Sequence, residues 1–332
     1  MTAQEPLRAA TPSGDPGLPA PQRTKPRESP STWPLVDRMG LYLCWAAGIA
    51  LCLVMGGILA YMAVRGVQFL RPSLFFTSPT PELDQSKSGG FLDPLIGTVL
   101  IMVVGILIAF PIGVATAVWL NEYRRPWALA RAVESGVEVV AGTPSVVLAI
   151  FGLIIFQQSF FGFLSLTAEG NAVLGRSFFT AGAMMALIAL PLIVGSTRVG
   201  LQQIPDHVRE ASYAVGKTKA ATIRRVLLPS CRPAIATGTV LGMGRIIGDT
   251  AIVVILLGAT LQLQAVGEVP GVRTLKGSGS TLTSYVYNNS PAGEGRSPGK
   301  AYAAAFVLLL VVVALNYAVN RITSREAPQW IR

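Results

Sequence analysis

The sequence has few charged residues for its length. Lysine, arginine, aspartate and glutamate make up 13% of the 332 residues, whereas hydrophobic residues make up 51%. In a typical soluble domain about a quarter of the residues are charged. Uncharged apolar stretches of roughly 20 residues, enough to cross a hydrocarbon core about 30 Å thick, recur along the chain. The composition therefore indicates an integral membrane protein and leaves little room for a soluble domain.

Histidine and cysteine are also scarce, which argues against metal and thiol chemistry. The single histidine, His207, lies in a polar connection and is expected to be a solvated surface residue. Cys44 and Cys52 lie on one predicted helix, and at about 1.5 Å rise per residue they are too far apart for a disulfide. Together with Cys231 they show no metal-type spacing. We therefore expect no metal site and no cofactor.

Motifs for catalysis are missing as well. The chain has no G-x-x-x-x-G-K-[ST] motif, so any ATP hydrolysis must come from a partner. It has no H-E-x-x-H motif, and no apolar segment holds a nucleophile with a base, so we expect no catalytic residue and no intramembrane enzyme. The net charge of +10 is spread over the connections rather than one domain, so nucleic acid is not an expected partner.

Six apolar segments are long enough to cross a membrane, and they predict an all-α, polytopic membrane protein with six transmembrane helices. Pro111, Pro144 and Pro191 fall within them and are expected to kink the helices rather than end them, because neighbouring groups can satisfy the freed carbonyls. The predicted spans are Leu41–Val64, Leu95–Leu120, Val139–Phe156, Phe178–Val194, Ala234–Leu257 and Ala301–Val319.

The two ends of the chain are polar. Residues 1–38 are rich in proline and poor in large apolar residues, which predicts a disordered tail. Residues 39–323 form the predicted membrane domain, and residues 324–332 a second tail. Most of the 27 lysines and arginines fall in the tails and in the second and fourth connections, so both termini are predicted to be cytoplasmic.

The fourth connection, residues 205–229, predicts a pair of short polar helices. Asp206 suits an N-cap or a first helical turn, and Gly216 is placed to end one helix and turn the backbone into the next. A basic cytoplasmic loop that merely follows the positive-inside rule is the alternative.

A longer pattern in this connection resembles the EAA loop of ABC-importer permeases. Glu210-Ala211-Ser212 is followed by Gly216 and then by Val226-Leu-Leu-Pro229, with Ser for the second Ala of the family and Val for its usual Ile. The resemblance implies a type I ABC importer permease fold. It also implies that the short helix over Arg209 to Gly216 docks into a groove on an ATP-binding subunit. Glu210 would contact a basic partner residue, and the small Ala211, Ser212 and Gly216 would permit close approach.

The fifth predicted span is the only one with charges near its middle. Charge at that depth costs several kcal/mol unless it is paired or faces an aqueous cavity. Arg245 and Asp249 are four residues apart, so on one helix they would share a face and could neutralise each other. Gly242, Gly244 and Gly248 would let another helix approach closely. The pair either locks helices together or serves anion transit, since a guanidinium fork suits oxyanions.

From Gly89 onward the sequence resembles the phosphate-specific permeases of the PstA/PstC family. The family usually has Glu where Asp249 stands, and the resemblance makes Arg198 a second candidate anion contact, which positive-inside placement explains as well. Residues 250–251 and 281–287 resemble PstA more than PstC. The matching stretches are Gly89-Gly-Phe-Leu-Asp-Pro94, Ile96-Gly-Thr98, Pro111-Ile-Gly113, Leu120-Asn-Glu-Tyr123, Gly142-Thr-Pro-Ser-Val-Val147, Phe151-Gly-Leu153 and Gly244-Arg245 through Ala251.

This resemblance implies a permease subunit of an ATP-driven phosphate importer in a bacterial inner membrane. The expected partners are a PstB-like ATP-binding subunit, a PstC-like sister permease, a PstS-like periplasmic phosphate-binding protein, inorganic phosphate and membrane lipid. A permease for another oxyanion such as sulfate or molybdate is an alternative, because an arginine fork does not distinguish tetrahedral anions. A non-transport membrane scaffold protein is a further alternative.

Overall fold

The computed structural model describes residues 34–79, 89–165, 175–258, 263, 272–291 and 297–324. Within these ranges all regular structure is helical, which confirms the predicted all-α class. The helices are α1 (Leu35–Phe69), α2 (Leu92–Val118), α3 (Trp127–Gly142), α4 (Ser145–Phe156), α5 (Phe178–Gln202), α6 (Asp206–Ala214), α7 (Lys219–Thr222), α8 (Leu228–Ser230), α9 (Arg232–Gly248), α10 (Val272–Lys276), α11 (Leu282–Asn289) and α12 (Pro298–Ser324). Three π-helical turns (Trp119–Tyr123, Ile223–Leu227, Val253–Leu257) and two 3-10 turns (Pro72–Phe75, Ser159–Leu164) accompany them.

The predicted tails lie largely outside the described residues. Helix α1 begins at Leu35, so the predicted tail is wrong for residues 35–38. The carbonyl of Pro34 accepts the first helical hydrogen bonds, from the amides of Asp37 and Arg38, at 3.1 and 3.2 Å. A proline just before a helix is tolerated because its missing N–H would have no partner there. The remainder of the predicted tail boundaries stays a prediction.

Four helices are long and apolar enough to cross a membrane: α1, α2 with its π turn, α5 and α12. Two pairs of consecutive helices, each bent at a short break, are apolar enough to be added to these four. Helices α3 and α4 meet at 112°, and the segment Lys219–Ser230 meets α9 at 69°. If each bent pair is one span, the described residues hold six spans.

Two of the three prolines do not end their helices, as predicted, and a kink at these two positions stays a prediction. Pro111 and Pro191 lie inside the continuous helices α2 and α5. At Pro144 the chain breaks instead, so the prediction of a kink within one span Val139–Phe156 is wrong. The preceding residue, Thr143, is extended, with φ −81° and ψ 131°, the conformation that a following proline favours. Helix α4 starts afresh at Ser145.

The predicted fifth span, Ala234–Leu257, is also not one helix. Helix α9 ends at Gly248, and Asp249 is extended, with φ −82° and ψ 120°. Its Oδ1 atom accepts a hydrogen bond of 3.0 Å from the amide of Ile252. Asp249 therefore caps the next helical segment, which a short acidic side chain does well.

The chain divides into two compact units, residues 1–58 and 59–332. In the first unit the described residues are Pro34 and the first part of α1. In the second unit α5 lies at the centre, with 61% of its most apolar stretch buried, against 39% for α2 and 22% for α12. Small residues bring the helices together: a methyl group at Gly182 would meet Val104 of α2, and one at Gly238 of α9 would meet the carbonyl oxygen of Leu192.

The stretch Ile96-Gly-Thr98, one of those that resemble the PstA/PstC family, joins α2 to α11. The hydroxyl of Thr98 accepts a hydrogen bond of 2.8 Å from the amide of Leu282. A side chain at Gly97 would collide with the carbonyl oxygen of Ser280. The sequence Ile96-Gly-Thr98 thus serves close packing at this end of the second unit.

Candidate coupling segment and substrate pathway

Helix α6 forms where the EAA-like pattern predicts a short helix. It ends at Ala214, and Gly216, just beyond this end, has a φ of +78° that residues with a side chain rarely adopt. The amide of Lys217 donates to the carbonyl of Ser212 at 3.2 Å, and the amide of Gly216 to that of Tyr213 at 2.9 Å. These two bonds make a Schellman motif, the usual way in which a glycine ends a helix. The predicted turn at Gly216 is confirmed.

Part of this segment is open to a partner. Glu210, Ala211 and Gly216 are exposed, and no described atom lies within 4 Å of the position of a Gly216 side chain. Two large side chains beside them are exposed as well, Tyr213 by 43% and Val215 by 73%. A negative charge, small residues and exposed apolar surface on one short helix suit a docking surface.

Ser212 does not belong to that surface. It is 5% exposed, and its hydroxyl oxygen lies 2.8 Å from that of Thr222 on α7. That Ser212 permits close approach of a partner stays a prediction. Its small size lets α6 and α7 approach each other.

Arg209 likewise faces the chain's own helices, and its predicted part in docking stays a prediction. Its guanidinium donates to the carbonyl of Leu201, in the last turn of α5, at 2.8 Å. It also donates to the carbonyl of Ile204, just beyond this turn, at 2.7 Å. It pairs with Oε1 of Glu122 at 3.3 Å and with Oδ1 of Asp206 at 3.1 Å. Arg209 and Glu122 are only 16% and 6% exposed. Arg209 is therefore a positioning residue that fixes α6 to α5 and to the end of α2.

The π turn after α2 supplies the other half of this contact. Besides Arg209, the carboxylate of Glu122 accepts a hydrogen bond of 2.9 Å from Asn121. The ammonium group of Lys219 donates to the carbonyl of Glu122 and lies 4.7 Å from the ring centroid of Tyr123. The stretch Leu120-Asn-Glu-Tyr123 thus ties α2 to both short helices of the coupling segment. Sequence reasoning assigned this stretch no role, since Glu122 and Arg209 are 87 residues apart.

Arg245 and Asp249 do not form the predicted ion pair. The helix ends between them, so the four-residue spacing no longer places them on one face. Asp249 is 6% exposed and serves as a cap, whereas Arg245 is exposed and makes no hydrogen bond or ion pair within the described ranges. A described side chain packs near Gly242, but Gly244 and Gly248 have open space around them, so their predicted helix contact is absent from this chain's described residues.

One face of α9 carries Arg245 together with small and apolar residues. Thr237, Leu241 and Gly248 are exposed at helical spacing on the same side. Arg245 lies about 20 Å along the helix from Arg232, at 1.5 Å per residue, well inside a segment meant for the bilayer. A cation at such depth is stable in a polar cavity but costly against lipid. This face is therefore the candidate wall of a substrate pathway.

Arg198 has a partner in the chain. Its Nη2 atom lies 2.6 Å from Oε1 of Glu134 on α3, an ion pair whose angles do not make a hydrogen bond. Arg124 lies 3.8 Å from the same oxygen. The Arg198 side chain is 30% exposed, so an anion could reach it. Its positive charge, however, is already offset by the carboxylate of Glu134. Its role as an anion contact stays a prediction, and Glu134 went unnoticed in the sequence.

No group of three or more His, Cys, Asp or Glu in the described part of the chain could hold a metal ion. The two candidate functional features are the coupling segment and the face of α9 that carries Arg245. A helical membrane bundle with a short, exposed helix between two spans is the arrangement that the sequence resemblance implies for a permease subunit driven by a separate ATPase.

Comparison with known proteins agrees with this class. Residues 101–327 match the family described as "Binding-protein-dependent transport system inner membrane component", and the chain belongs to this family. It is a multi-pass inner-membrane permease subunit of an ABC importer, a transport subunit rather than an enzyme. Members of this family work with an ATPase and a substrate-binding protein.

Several similar curated proteins are permeases of phosphate transport systems. PstC 2 of Mycobacterium tuberculosis H37Rv is 28% identical over 294 residues, which cover 83% of this chain and 88% of the relative. PstA 1 of M. tuberculosis CDC 1551 is 30% identical over 236 residues, 71% of either chain. PstA of M. leprae is 31% identical over 234 residues, 70% of either chain. The resemblance to the PstA/PstC family is confirmed, and the preference for PstA over PstC stays a prediction.

Solved structures with the same architecture are type I ABC importers. The inward-facing MetNI methionine transporter aligns with a TM-score of 0.56 at 19% identity, covering 72% of this chain and 96% of the other. A bacterial alginate importer aligns with a TM-score of 0.60 at 17% identity, covering 87% and 96%. At these identities the likeness concerns the fold, and the predicted type I permease fold is confirmed.

Proposed function

We propose that this chain is a permease subunit of an importer for inorganic phosphate. The observation that carries the proposal is Arg245, an exposed arginine on a membrane-spanning helix that has no anionic partner among the described residues. A planar guanidinium binds two oxygens of a tetrahedral oxyanion at once. The names of the similar PstA and PstC proteins favour phosphate as that anion.

The proposed partners follow from the same family. They are a PstB-like ATPase at α6, a PstC-like sister permease that completes the pathway, and a PstS-like periplasmic protein that delivers phosphate. The proposed orientation places both termini and α6 in the cytoplasm, because the arginine- and lysine-rich connections are retained on that side.

The contacts around α6 suggest how work reaches the pathway. Arg209 joins α6 to α5, while Glu122 joins it to α2. Both long helices pack with α9, which carries Arg245. A displacement of α6 by the ATPase would therefore move the helices that border the pathway, as alternating access requires. Asp249 takes part by capping the break after α9, which leaves Arg245 free to meet the anion.

Anion competition tests the substrate. We expect ATP-driven uptake of labelled phosphate into vesicles that contain the complete complex with its binding protein. Excess unlabelled phosphate should abolish uptake of the label. Excess sulfate or molybdate should leave the uptake rate close to the rate measured without a competitor. If sulfate or molybdate is taken up in preference, the chain serves another oxyanion, and if none is transported while the complex is intact, the phosphate proposal is wrong.

Charge reversal at Glu210 tests the docking surface. Glu210→Arg should weaken capture of the ATPase subunit by about tenfold or more, since a hydrogen bond to a charged group contributes about 1.5–3 kcal/mol. Glu138→Arg is the matched control, because Glu138 is also an exposed acid but lies on α3, outside the coupling segment. Equal capture by both variants in a detergent pull-down would remove Glu210 from the interface.

A further inference from the structure

A basic groove opens between α2, α9 and α12, at the end of the second unit that carries the coupling segment. Its volume is about 500 Å³. Arg224, on the π turn after α7, and Arg232, at the start of α9, line it. Phe110 and Val114 of α2 and Val319 of α12 also line it. The groove therefore combines two cations with an apolar wall.

The described lining of the groove offers Arg224 no acidic partner. None of its described lining residues is acidic. Thr239, the one lining hydroxyl group in the described chain, donates to the carbonyl of Ile235 in its own helix at 2.8 Å. Arg224 is exposed and makes no ion pair or hydrogen bond within the described ranges. The groove thus suits a ligand that is negatively charged at one end and apolar along the rest.

The walls identify the kind of ligand. Phe110 and Val114 belong to the apolar span Leu92–Tyr123, and Val319 ends the apolar span of α12. A small anion such as free phosphate would leave this apolar wall uncovered. Lipid acyl chains are present along membrane-spanning helices, and basic pockets between such helices at the cytoplasmic side bind anionic headgroups.

We propose that the basic groove binds one anionic phospholipid, with its headgroup phosphate on Arg224 and Arg232 and an acyl chain along Phe110, Val114 and Val319. That this end of the bundle lies at the cytoplasmic membrane surface rests on the proposed function. The bound lipid would link α2, α9 and α12 directly beside the coupling segment. Transport could thereby depend on the anionic lipid content of the membrane.

The test measures bound lipid directly. The complete complex is placed in nanodiscs of equal parts phosphatidylglycerol and phosphatidylcholine. It is then released from the nanodiscs in the mass spectrometer, and the lipids that stay bound are identified by native mass spectrometry without ATP or phosphate. We expect retained phosphatidylglycerol in the wild type. The double substitution Arg224→Gln and Arg232→Gln should lower retention about 30-fold, as expected for two basic contacts at a membrane surface. Arg225→Gln, next to Arg224 but not lining the groove, is the matched control and should retain the lipid.

A second variant keeps both charges and fills the groove. Ala236→Phe should also release the lipid, because Ala236 lines the apolar part. Retention in Ala236→Phe, equal retention of phosphatidylcholine, or release by excess inorganic phosphate would each overturn the proposal. Exclusion of lipid from the assembled complex, with binding by the isolated chain alone, would mean that a protein partner occupies the groove and would also overturn it. Phosphate uptake is not measured, so failure here and failure of the proposed function are distinguishable.

Discussion

Replacing Arg209 with alanine is expected to abolish ATP-driven uptake and to lower the stability of the permease. The guanidinium is 16% exposed and the carboxylate of Glu122 is 6% exposed, so the variant leaves a buried negative charge without its cation. Such a loss costs about 3–5 kcal/mol. The carbonyls of Leu201 and Ile204 lose the hydrogen bonds from the guanidinium as well. Uptake into vesicles and thermal unfolding of the purified complex measure the two effects.

Asp206→Ala is the matched control, because it removes another partner of the same arginine. Asp206 lies 3.1 Å from the guanidinium, but its side chain is 89% exposed. Exposed ion pairs contribute less than about 1 kcal/mol, so uptake and stability should stay close to those of the wild type. Equal losses in Asp206→Ala and Arg209→Ala would contradict the special role of the buried contact with Glu122.

A double variant separates transmission from folding. Combining Arg209→Ala with Glu122→Gln removes both members of the buried pair and leaves no unpaired charge. Stability should then recover in large part, since the cost comes mainly from the isolated charge. Uptake should stay low, because α6 is no longer held to α2. Recovery of uptake together with stability would reduce Arg209 to a folding residue.

The sequence could predict features that depend on local chemistry. Apolar runs predicted the membrane segments, since a bilayer accepts few other compositions. The turn after α6 was predictable because Gly216 adopts a φ of +78°, which glycine accepts readily. The exposure of Glu210 and Ala211 followed from their place in a polar connection.

Features that depend on distant contacts could not be predicted. Nothing in the sequence links Glu122 to Arg209, 87 residues away, and only the folded chain shows that the arginine turns inward. Asp249 could stabilise Arg245 on a continuous helix or cap a new segment after a break, and both uses fit the same four-residue spacing. A proline has a similar ambiguity: Pro191 lies inside α5, whereas Pro144 stands at a 112° bend. Tertiary packing decides between these outcomes.

Arg245→Ala is expected to lower phosphate uptake by at least about 100-fold without loss of stability or assembly. Two charge-assisted hydrogen bonds to the anion, each contributing about 1.5–3 kcal/mol, would disappear from a region of low dielectric constant. Stability should not change, because Arg245 is exposed and has no partner in the described chain. Uptake of labelled phosphate and thermal unfolding of the complex provide the measurements.

Two further variants on the same face of α9 complete this experiment. Leu241→Ala, one turn earlier and 49% exposed, should leave uptake nearly unchanged, since it removes no charge. Arg245→Lys keeps the charge but loses the planar fork, so uptake should fall to an intermediate level. ATP hydrolysis stimulated through α6 should persist in all three variants, because the contacts of Arg209 remain intact. An unchanged uptake rate in Arg245→Ala would remove the arginine from the pathway and leave its charge within a membrane span unexplained.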